Sequence, residues 1–173
     1  MKNNKLVEEA KAFALLAHDG FFRLNKARDP YFIHLEEVAR LVEQSGGSNE
    51  EIAAAWLHDT VEDTSATIAI IKERFGDMVA VIVDGLTDLP NMTKMPTFER
   101  KKLQAKRVRA KSDSVKRVKI ADQISNVRSV VIDPPSKWSE QKCKDYVVGA
   151  KLIVEECKEA SSFLYAEFQA VAK

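Results

Sequence analysis

The sequence has little cysteine, little net charge and no long apolar run, and each shortage excludes a class of protein. Its two cysteines, Cys143 and Cys157, are too few and too far apart for a thiolate zinc site. No apolar stretch is long enough to span a membrane, and the polar first residues are unlike a signal peptide. A net charge of +1 provides no general attraction to nucleic acid or anionic membranes. We therefore expect a cytoplasmic protein that binds neither, and composition leaves its oligomeric state open.

Helical patterns run along the whole sequence. At 173 residues the chain fits one domain, residues 1–173, with a substantial core. Apolar spacings of three and four positions predict helices in the segments 6–17, 30–45, 48–58, 68–75, 78–83, 98–111, 115–133 and 138–171, the last as one helix or two. Ser48 and Glu51 match a capping box at a helix start. The β-branched residues of 78–83 also suit a strand, but no alternating partner strand exists elsewhere. We therefore expect an all-α, single-domain helical bundle.

A polar cluster inside an apolar segment, residues 56–64 (WLHDTVEDT), is the most informative part of the sequence. The apolar residues 53–57 lead directly to His58 and Asp59, and Glu62 and Asp63 follow one turn later. A buried charge without a partner costs far more free energy than one residue can supply. The cluster therefore predicts either a basic partner or a metal ion.

His34 and Asp122 complete a candidate metal site. His34 lies one turn into the predicted second helix, and Asp122 lies in an otherwise apolar helix with Asn126 on the same face. Together with His58 and Asp59 they would supply two imidazoles and two carboxylates from three helices, which is how helical bundles build metal sites. This set of ligands suits manganese, iron or zinc better than calcium.

Each of these residues also has an ordinary structural interpretation. A single histidine on a helix is usually a packed or surface residue, and an aspartate beside a lysine usually forms a salt bridge. For His34 or Asp122 alone we prefer that interpretation, and only the combination with the polar cluster favours a metal site. We interpret the remaining histidine, His18, as a structural residue at a helix end, without a partner.

The order and spacing of several short segments closely resemble the HD-domain hydrolases of the RelA/SpoT type. The segments are 17–20 (AHDG), Arg23, 30–34 (PYFIH), 55–64 (AWLHDTVEDT), 75–76 (FG), 86–88 (LTD), 99–101 (ERK), 119–122 (KIAD) and 126–128 (NVR). The resemblance extends over residues 10–160, nearly the whole chain. We expect the small stand-alone hydrolases of this family to be the nearest relatives, because no synthetase or regulatory domain follows.

The resemblance implies an all-α domain that binds manganese, or another divalent first-row metal, and removes the 3′-pyrophosphate from the guanosine tetra- and pentaphosphates ppGpp and pppGpp. The implied roles are metal ligands at His34, His58, Asp59 and Asp122, a catalytic pair at Glu62 and Asp63, and substrate contacts at Arg23, Asn126 and Tyr146. A divalent ion lowers the pKa of a bound water, which would attack phosphorus. Glu62 or Asp63 would orient that water or move a proton.

The loop expected to hold the phosphates departs from the family pattern. Leu24 and Phe22 stand where the family commonly has basic residues, and Phe21 stands where glutamine is common. Other basic residues are available, although only a few of the later ones can reach one pocket: Arg23, Lys26, Arg28, Lys94, Arg100, Lys101, Lys102, Lys106, Arg107 and Arg109. Two alternatives therefore stay open. One is an HD phosphohydrolase acting on another nucleotide, such as a nicotinamide dinucleotide phosphate or a nucleoside phosphate. The other is a helical module that binds a nucleotide or a protein without turnover.

Overall fold

Helices make up nearly all the regular structure of residues 5–173, the part of the chain that the computed structural model describes. They are α1 Lys5–Ala17, α2 Phe32–Gln44, α3 Asn49–Leu57, α4 Thr60–Asp63, α5 Ile68–Phe75, α6 Asp77–Leu86, α7 Thr97–Val108, α8 Asp113–Ile132, α9 Glu140–Glu155 and α10 Ser162–Val171. Within residues 5–173 the one strand-like feature is an isolated bridge between Phe22 and Pro30. The predicted all-α class is confirmed, and the polar residues 1–4 lie outside the described part.

Local signals explain where several helices begin and end. Ser48 and Glu51 form the predicted capping box at the start of α3, each side chain bonding to the other's backbone N–H. Serine side chains also accept a backbone N–H at the starts of α8, α9 and α10. Gly46 and Gly76 have φ angles of +78° and +90°, which favour glycine, just after α2 and α5. Apart from the start of α10, these signals lie at boundaries that the sequence predicts.

One boundary differs from the prediction, and an alternative that the prediction left open is decided. Helix α2 begins at Phe32 instead of Pro30, because Pro30 is paired with Phe22 and the Tyr31 amide donates to the Phe21 carbonyl at 2.9 Å. The segment 138–171 forms two helices, α9 and α10, since the chain passes through the short 3₁₀ helix Lys158–Ala160 between them.

Helix α8 lies in the middle of the molecule and has core residues on several faces. It contacts α2, α3, α6, α9 and α10, and Ile120, Ile124 and Val127 are fully buried. Its backbone therefore gives a fixed support to the polar residues Asp122 and Asn126 near its centre.

Helix α3 carries the polar cluster into the interior. The residues from Ile52 to Leu57 are all buried, and the helix contacts α1, α2, α6 and α8. Because α3 ends at Leu57, His58 and Asp59 follow at its buried end. Separately, no helix among residues 5–173 combines the length and the hydropathy needed to cross a membrane.

Candidate metal and phosphate site

The four predicted metal ligands come from three separate parts of the fold. His34 lies in the first turn of α2, His58 and Asp59 directly follow α3, and Asp122 lies in the middle of α8. His34, His58 and Asp122 expose 1%, 3% and 5% of their surface. The fold therefore buries, in one place, side chains that are far apart in the sequence.

The ligand atoms of these four residues converge. His58 Nε2 lies 3.0 Å from Asp59 Oδ2 and 3.2 Å from His34 Nε2. His34 Nε2 lies 3.4 Å from the same Asp59 oxygen. Asp122 Oδ1 lies 3.6 Å and 3.7 Å from the Nε2 atoms of His34 and His58. His34, His58 and Asp59 thus form a compact group of possible metal ligands, and Asp122 faces the two imidazoles from α8.

The chemistry of these atoms fits a bound divalent cation. His58 Nδ1 lies 2.8 Å from the Ala55 carbonyl oxygen, which can only accept, so Nδ1 carries the hydrogen. In the neutral ring Nε2 is therefore a bare acceptor that faces the Asp59 carboxylate. Acceptors that face each other repel unless positive charge lies among them. Metal bonds of about 2.0–2.2 Å bring neighbouring ligand atoms to about 3 Å from each other, which matches the closest separations in this group.

The protonation of the site shows the same need for positive charge. Burial alone would lower the pKa of His58, but the carboxylates of Asp59 and Asp122 outweigh it and raise that pKa well above its usual range. Burial lowers the pKa of His34. Burial would raise the pKa of both aspartates, but neighbouring positive groups outweigh it. His58 holds the pKa of Asp59 below its usual range, and Lys119 followed by His58 does the same for Asp122. The two carboxylates therefore stay ionised and attract a cation.

Three neighbours on α8 fix the Asp122 carboxylate. Asn126 Nδ2 donates to Oδ1 at 2.6 Å, Gln123 Nε2 donates to Oδ2 at 2.8 Å, and Lys119 Nζ lies 3.1 Å from Oδ2. Oδ1 remains directed at the histidines. Asn126 was predicted on this helix face, and the contact with Lys119, three positions before Asp122, is the salt bridge that the ordinary interpretation of this aspartate predicts. The contact with Gln123 was not predicted.

Tyr31 and His18 contact the other acidic residues. The Tyr31 hydroxyl donates to Asp59 Oδ2 at 2.6 Å, and burial followed by the Asp59 charge raises the pKa of Tyr31, so it remains a donor. The His18 ring stacks on the Tyr31 ring with 5.1 Å between centroids, and its Nε2 lies 3.7 Å from Asp63 Oδ2. The prediction that His18 has no partner is wrong. His18 is buried between Tyr31 and Asp63. The spacing of these residues in the sequence does not predict the two contacts.

The carboxylates open onto a cavity of about 490 Å³. Among the proposed metal ligands, His58, Asp59 and Asp122 line it, while His34 does not. The predicted catalytic and substrate-contacting residues all line this cavity: Glu62, Asp63, Arg23, Asn126 and Tyr146. The structure therefore brings every predicted site residue to one cavity wall or, for His34, into contact with residues of that wall.

Glu62 is held firmly at the cavity wall. Its Oε1 accepts the backbone N–H of Asp88 at 2.6 Å, and Asp88 in turn accepts from Gln104 at 2.7 Å. Partial burial, followed by the negative charge of Asp59, raises the pKa of Glu62 to about 7. A carboxyl with a pKa near neutrality is well suited to accept or release a proton in a reaction.

Positive charge reaches the cavity from three parts of the fold. The basic residues that line it are Arg23 in the loop after α1, Arg100 and Lys101 on α7, and Lys119 on α8, which also pairs with Asp122. Lys26 and Arg28 of the first loop do not. As the sequence predicts, only a few of the basic residues around α7 reach the cavity, and the others lie on the surface of the helix or pair elsewhere.

Lys101 is a buried lysine in this wall. Its side chain donates from Nζ to Gln123 Oε1 at 2.7 Å, and Nζ lies 3.9 Å from the ring centre of Tyr146. Burial lowers the pKa of Lys101 to about 7. The face of an aromatic ring attracts an ammonium group, so Tyr146 partly replaces the lost hydration. An anion in the cavity would favour the charged form further.

Leu24 and Phe22 form an apolar part of the cavity wall. They line the cavity and expose 70% and 49% of their surface. The side chains that depart from the family pattern are therefore in a position to meet a ligand, and they bring no charge to it.

Comparisons with known proteins show the family of this chain. A family model described as HD domain matches residues 10–145. Guanosine-3′,5′-bis(diphosphate) 3′-pyrophosphohydrolase MESH1 of Xenopus tropicalis is 37% identical over 161 residues, covering 92% of this chain and 88% of that protein. MESH1 of Homo sapiens is 34% identical over 149 residues, covering 85% and 82%.

A solved structure gives the same result at the level of the fold. It is the structure of a metazoan ortholog of SpoT that hydrolyses ppGpp, and it matches with a TM-score of 0.88 and 26% sequence identity. The match covers 96% of this chain and 93% of the other. The prediction of an HD-domain fold of the RelA/SpoT type is thereby confirmed, and the chain belongs to the HD-domain family of hydrolases.

Proposed function

We propose that this protein is a manganese-dependent hydrolase that removes the 3′-pyrophosphate from ppGpp and pppGpp, giving GDP or GTP. The observation that carries the proposal is the convergence of two imidazoles and two carboxylates on a cavity that also contains a second acidic pair and four basic side chains. The named activity of the MESH1 relatives, at 34–37% identity over most of this chain, supports the choice of substrate.

The proposed metal ligands are His34, His58, Asp59 and Asp122. Two nitrogen and two oxygen ligands suit manganese, iron or zinc, and they would be unusual for calcium, which prefers oxygen alone. When bound there, such an ion supplies a water of lowered pKa and neutralises charge on the phosphoryl oxygens.

Glu62 and Asp63 are proposed to handle the proton. The Glu62 carboxylate is fixed by the Asp88 amide, so it can orient a water molecule and accept a proton from it. Its pKa of about 7 makes the proton transfer reversible near neutral pH. Asp63, beside His18, would act as the second carboxylate that orients the water.

Arg23, Arg100 and Lys101 are proposed to hold the phosphates. Arg23 donates to Asn126 Oδ1 at 3.1 Å, and Asn126 donates to Asp122. This chain of contacts fixes the distance between a phosphate-binding guanidinium and a metal ligand. The planar guanidinium suits the oxygens of a phosphate group, while Lys101 contributes a charge whose position is set by Tyr146.

A comparison of substrates with the purified protein and Mn²⁺ tests the proposal. We expect kcat/KM to be highest for ppGpp or pppGpp, with GDP or GTP and pyrophosphate as the products. No pyrophosphate release from either compound would contradict the proposal.

Leu24 and Phe22 favour one second candidate, which keeps the metal site and changes the substrate. An uncharged wall holds fewer phosphates than a basic one, so another phosphorylated nucleotide, such as a nicotinamide dinucleotide phosphate or a nucleoside phosphate, would lose less binding energy here. The same comparison decides between the two, because the second candidate requires a higher kcat/KM for one of these compounds than for the alarmones.

A further inference from the structure

We propose that Ser125 and Glu37 are positioning residues that fix which nitrogen of His34 carries the hydrogen and so keep Nε2 bare for the cation. This inference rests on the proposed function, in which His34 is a metal ligand. The three residues form one line of contacts from α2 to α8 and back: His34 Nδ1 lies 2.8 Å from Ser125 Oγ, and Ser125 Oγ lies 2.6 Å from Glu37 Oε2.

The direction of each hydrogen bond follows from the chemistry of Glu37. Its other carboxylate oxygen forms an ion pair with Arg128, and an arginine partner keeps a carboxyl ionised. An ionised carboxylate has no hydrogen to donate. The single hydroxyl hydrogen of Ser125 must therefore point at Glu37.

The position of the ring hydrogen on His34 then follows. Ser125 Oγ, having given its hydrogen to Glu37, can act toward His34 only as an acceptor, so His34 Nδ1 must carry the hydrogen. In the neutral ring Nε2 is bare, and this is the nitrogen that faces His58, Asp59 and Asp122.

Burial makes this arrangement strict. His34 and Ser125 each expose 1% of their surface, so solvent cannot offer their polar atoms other partners. With the opposite tautomer, Nε2–H would point at the proposed metal position, and two acceptors would face each other at Nδ1 and Oγ. A buried hydrogen-bonding group left without a partner loses its hydration without compensation, which disfavours that tautomer.

Both histidines carry the ring hydrogen on Nδ1, but different groups accept that hydrogen. His58 Nδ1 donates to the backbone carbonyl of Ala55, which no side-chain substitution removes. His34 depends on two side chains, and these can be replaced. Partners of this kind typically change metal affinity by about 10–100-fold when they are lost.

The test measures Mn²⁺ affinity by titration and the His34 tautomer by nitrogen NMR of the metal-free protein at mildly alkaline pH. We expect Ser125→Ala to weaken Mn²⁺ binding by about 10-fold or more, and Ser125→Thr, which keeps the hydroxyl, to bind nearly as tightly as the wild type. Ser114→Ala, on the same helix about 16 Å away, is the matched control and should bind normally.

Glu37→Ala provides an independent arm. It keeps Ser125 but frees its hydrogen, which can then donate to His34 Nδ1, so the variant should show a mixture of tautomers and weaker binding. Glu36→Ala, an exposed neighbour on α2, is its control. Circular dichroism and thermal unfolding identify any variant that fails to fold. If one of Ser125→Ala and Glu37→Ala fails to fold, the other variant tests the inference.

Two results would overturn the inference: Ser125→Ala and Glu37→Ala binding Mn²⁺ as tightly as the wild type, or a wild-type His34 with its hydrogen on Nε2. Neither measurement uses a nucleotide. A protein that fails to hydrolyse ppGpp would therefore defeat the proposed function and leave this result intact. If the wild type bound no Mn²⁺, the proposed function would fall, and the tautomer would still decide the inference.

Discussion

Each proposed metal ligand presents an acceptor atom to the others, and the two histidine rings direct their Nδ1 atoms away from the group. His58 gives its Nδ1 hydrogen to a backbone carbonyl, and Tyr31 and Asn126 donate to the Asp59 and Asp122 oxygens that face the histidines, which fixes the position of these oxygens. A group of atoms arranged in this way binds a cation well and tolerates the loss of one ligand poorly.

Replacing Asp59 should weaken metal binding and abolish activity. Asp59→Ala deletes the oxygen that lies 3.0 Å from His58 Nε2 and 3.4 Å from His34 Nε2, so we expect Mn²⁺ affinity to fall by about 10-fold or more and pyrophosphate release to stop. Metal titration and a pyrophosphate assay measure these effects. Asp84→Ala, which removes an exposed carboxylate from α6, is the control.

The outcome of this substitution also addresses the interpretation as a binding module. If the wild-type protein is inactive and Asp59→Ala changes only thermal stability, a non-catalytic module is the better account. An active wild type and an inactive variant with unchanged fold exclude it.

Lys101 should make stability depend on pH. Its pKa is about 7 in the folded protein, whereas an ordinary lysine in the unfolded chain has a pKa of about 10.4. Between these values the unfolded chain binds more protons, so stability rises with pH over this range. The cost of burying the ammonium is fully present below pH 7 and is relieved as the pH increases.

Urea unfolding of the wild type and Lys101→Met, with EDTA present, measures this effect. From pH 7 to pH 9 the wild type should gain about 2 kcal/mol relative to the variant. Lys102→Met, at an exposed neighbouring position, should show no such gain. If the stabilities of the wild type and Lys101→Met change in parallel with pH, Lys101 is charged in the folded protein and this account of it is wrong.

At the residue scale, the proposed metal ligands could be predicted from the sequence, whereas several residues that contact and position the acidic groups could not. His58, Asp59 and Asp122 stand out because they are polar within apolar segments. The contacts of Tyr31 with Asp59 and of His18 with Asp63 join positions whose spacing carries no signal. The burial of Lys101 depends on how α9 packs on α7, and a basic sequence around it predicts solvent exposure instead.

Among the helices, boundaries set by local chemistry were predictable. The Ser48–Glu51 capping box and the turn at Gly76 each require only a few neighbouring residues. The start of α2 depends on the pairing of Pro30 with Phe22, eight positions earlier in the first loop, and periodicity does not report such a contact. The division between α9 and α10 likewise follows from the turn at Lys158–Ala160.

The close approach of α9 to α7 should make Gly149 hard to replace. A Cβ atom on Gly149 would lie 2.7 Å from Lys101 Cδ and 2.8 Å from Lys101 Cβ. Overpacking costs about 1–3 kcal/mol, and the helix-forming advantage of alanine over glycine returns about 1 kcal/mol. We expect Gly149→Ala to lose up to about 2 kcal/mol of stability and to raise KM, because the Lys101 stem must move.

Urea unfolding and steady-state kinetics check this prediction, with Val148→Ala at the exposed neighbouring position as the control. The control should change stability by no more than about 0.5 kcal/mol. A Gly149→Ala protein as stable as the control, with an unchanged KM, would show that α9 does not constrain Lys101.

For the molecule as a whole, the candidate metal site joins parts of the chain that would otherwise be held together by packing alone. Its ligands lie on α2, after α3 and on α8, and the buried apolar residues form one cluster that includes both α1 and α10. We propose on this basis that residues 1–173 act as one domain. The cavity itself was not predictable from sequence, since its wall combines the first loop, α7, α8 and α9.

Adding metal should therefore stabilise the entire fold. An ion that binds only the folded protein contributes about 2.7 kcal/mol at a concentration 100 times its Kd. For a chain of this size that raises Tm by about 5–10 °C. Thermal unfolding with Mn²⁺ and with EDTA measures the difference, and the shift in Asp59→Ala should be about half as large or less at the same Mn²⁺ concentration. An equal shift in that variant would place the bound ion elsewhere.

The most direct test of the account follows heavy oxygen from solvent into the products of ppGpp hydrolysis, using wild-type protein with Mn²⁺ in labelled water. Attack of water on phosphorus predicts that one labelled oxygen appears in the pyrophosphate and none in GDP, whose 3′-oxygen comes from the substrate. Label at the 3′-oxygen of GDP, or no products at all, would contradict it.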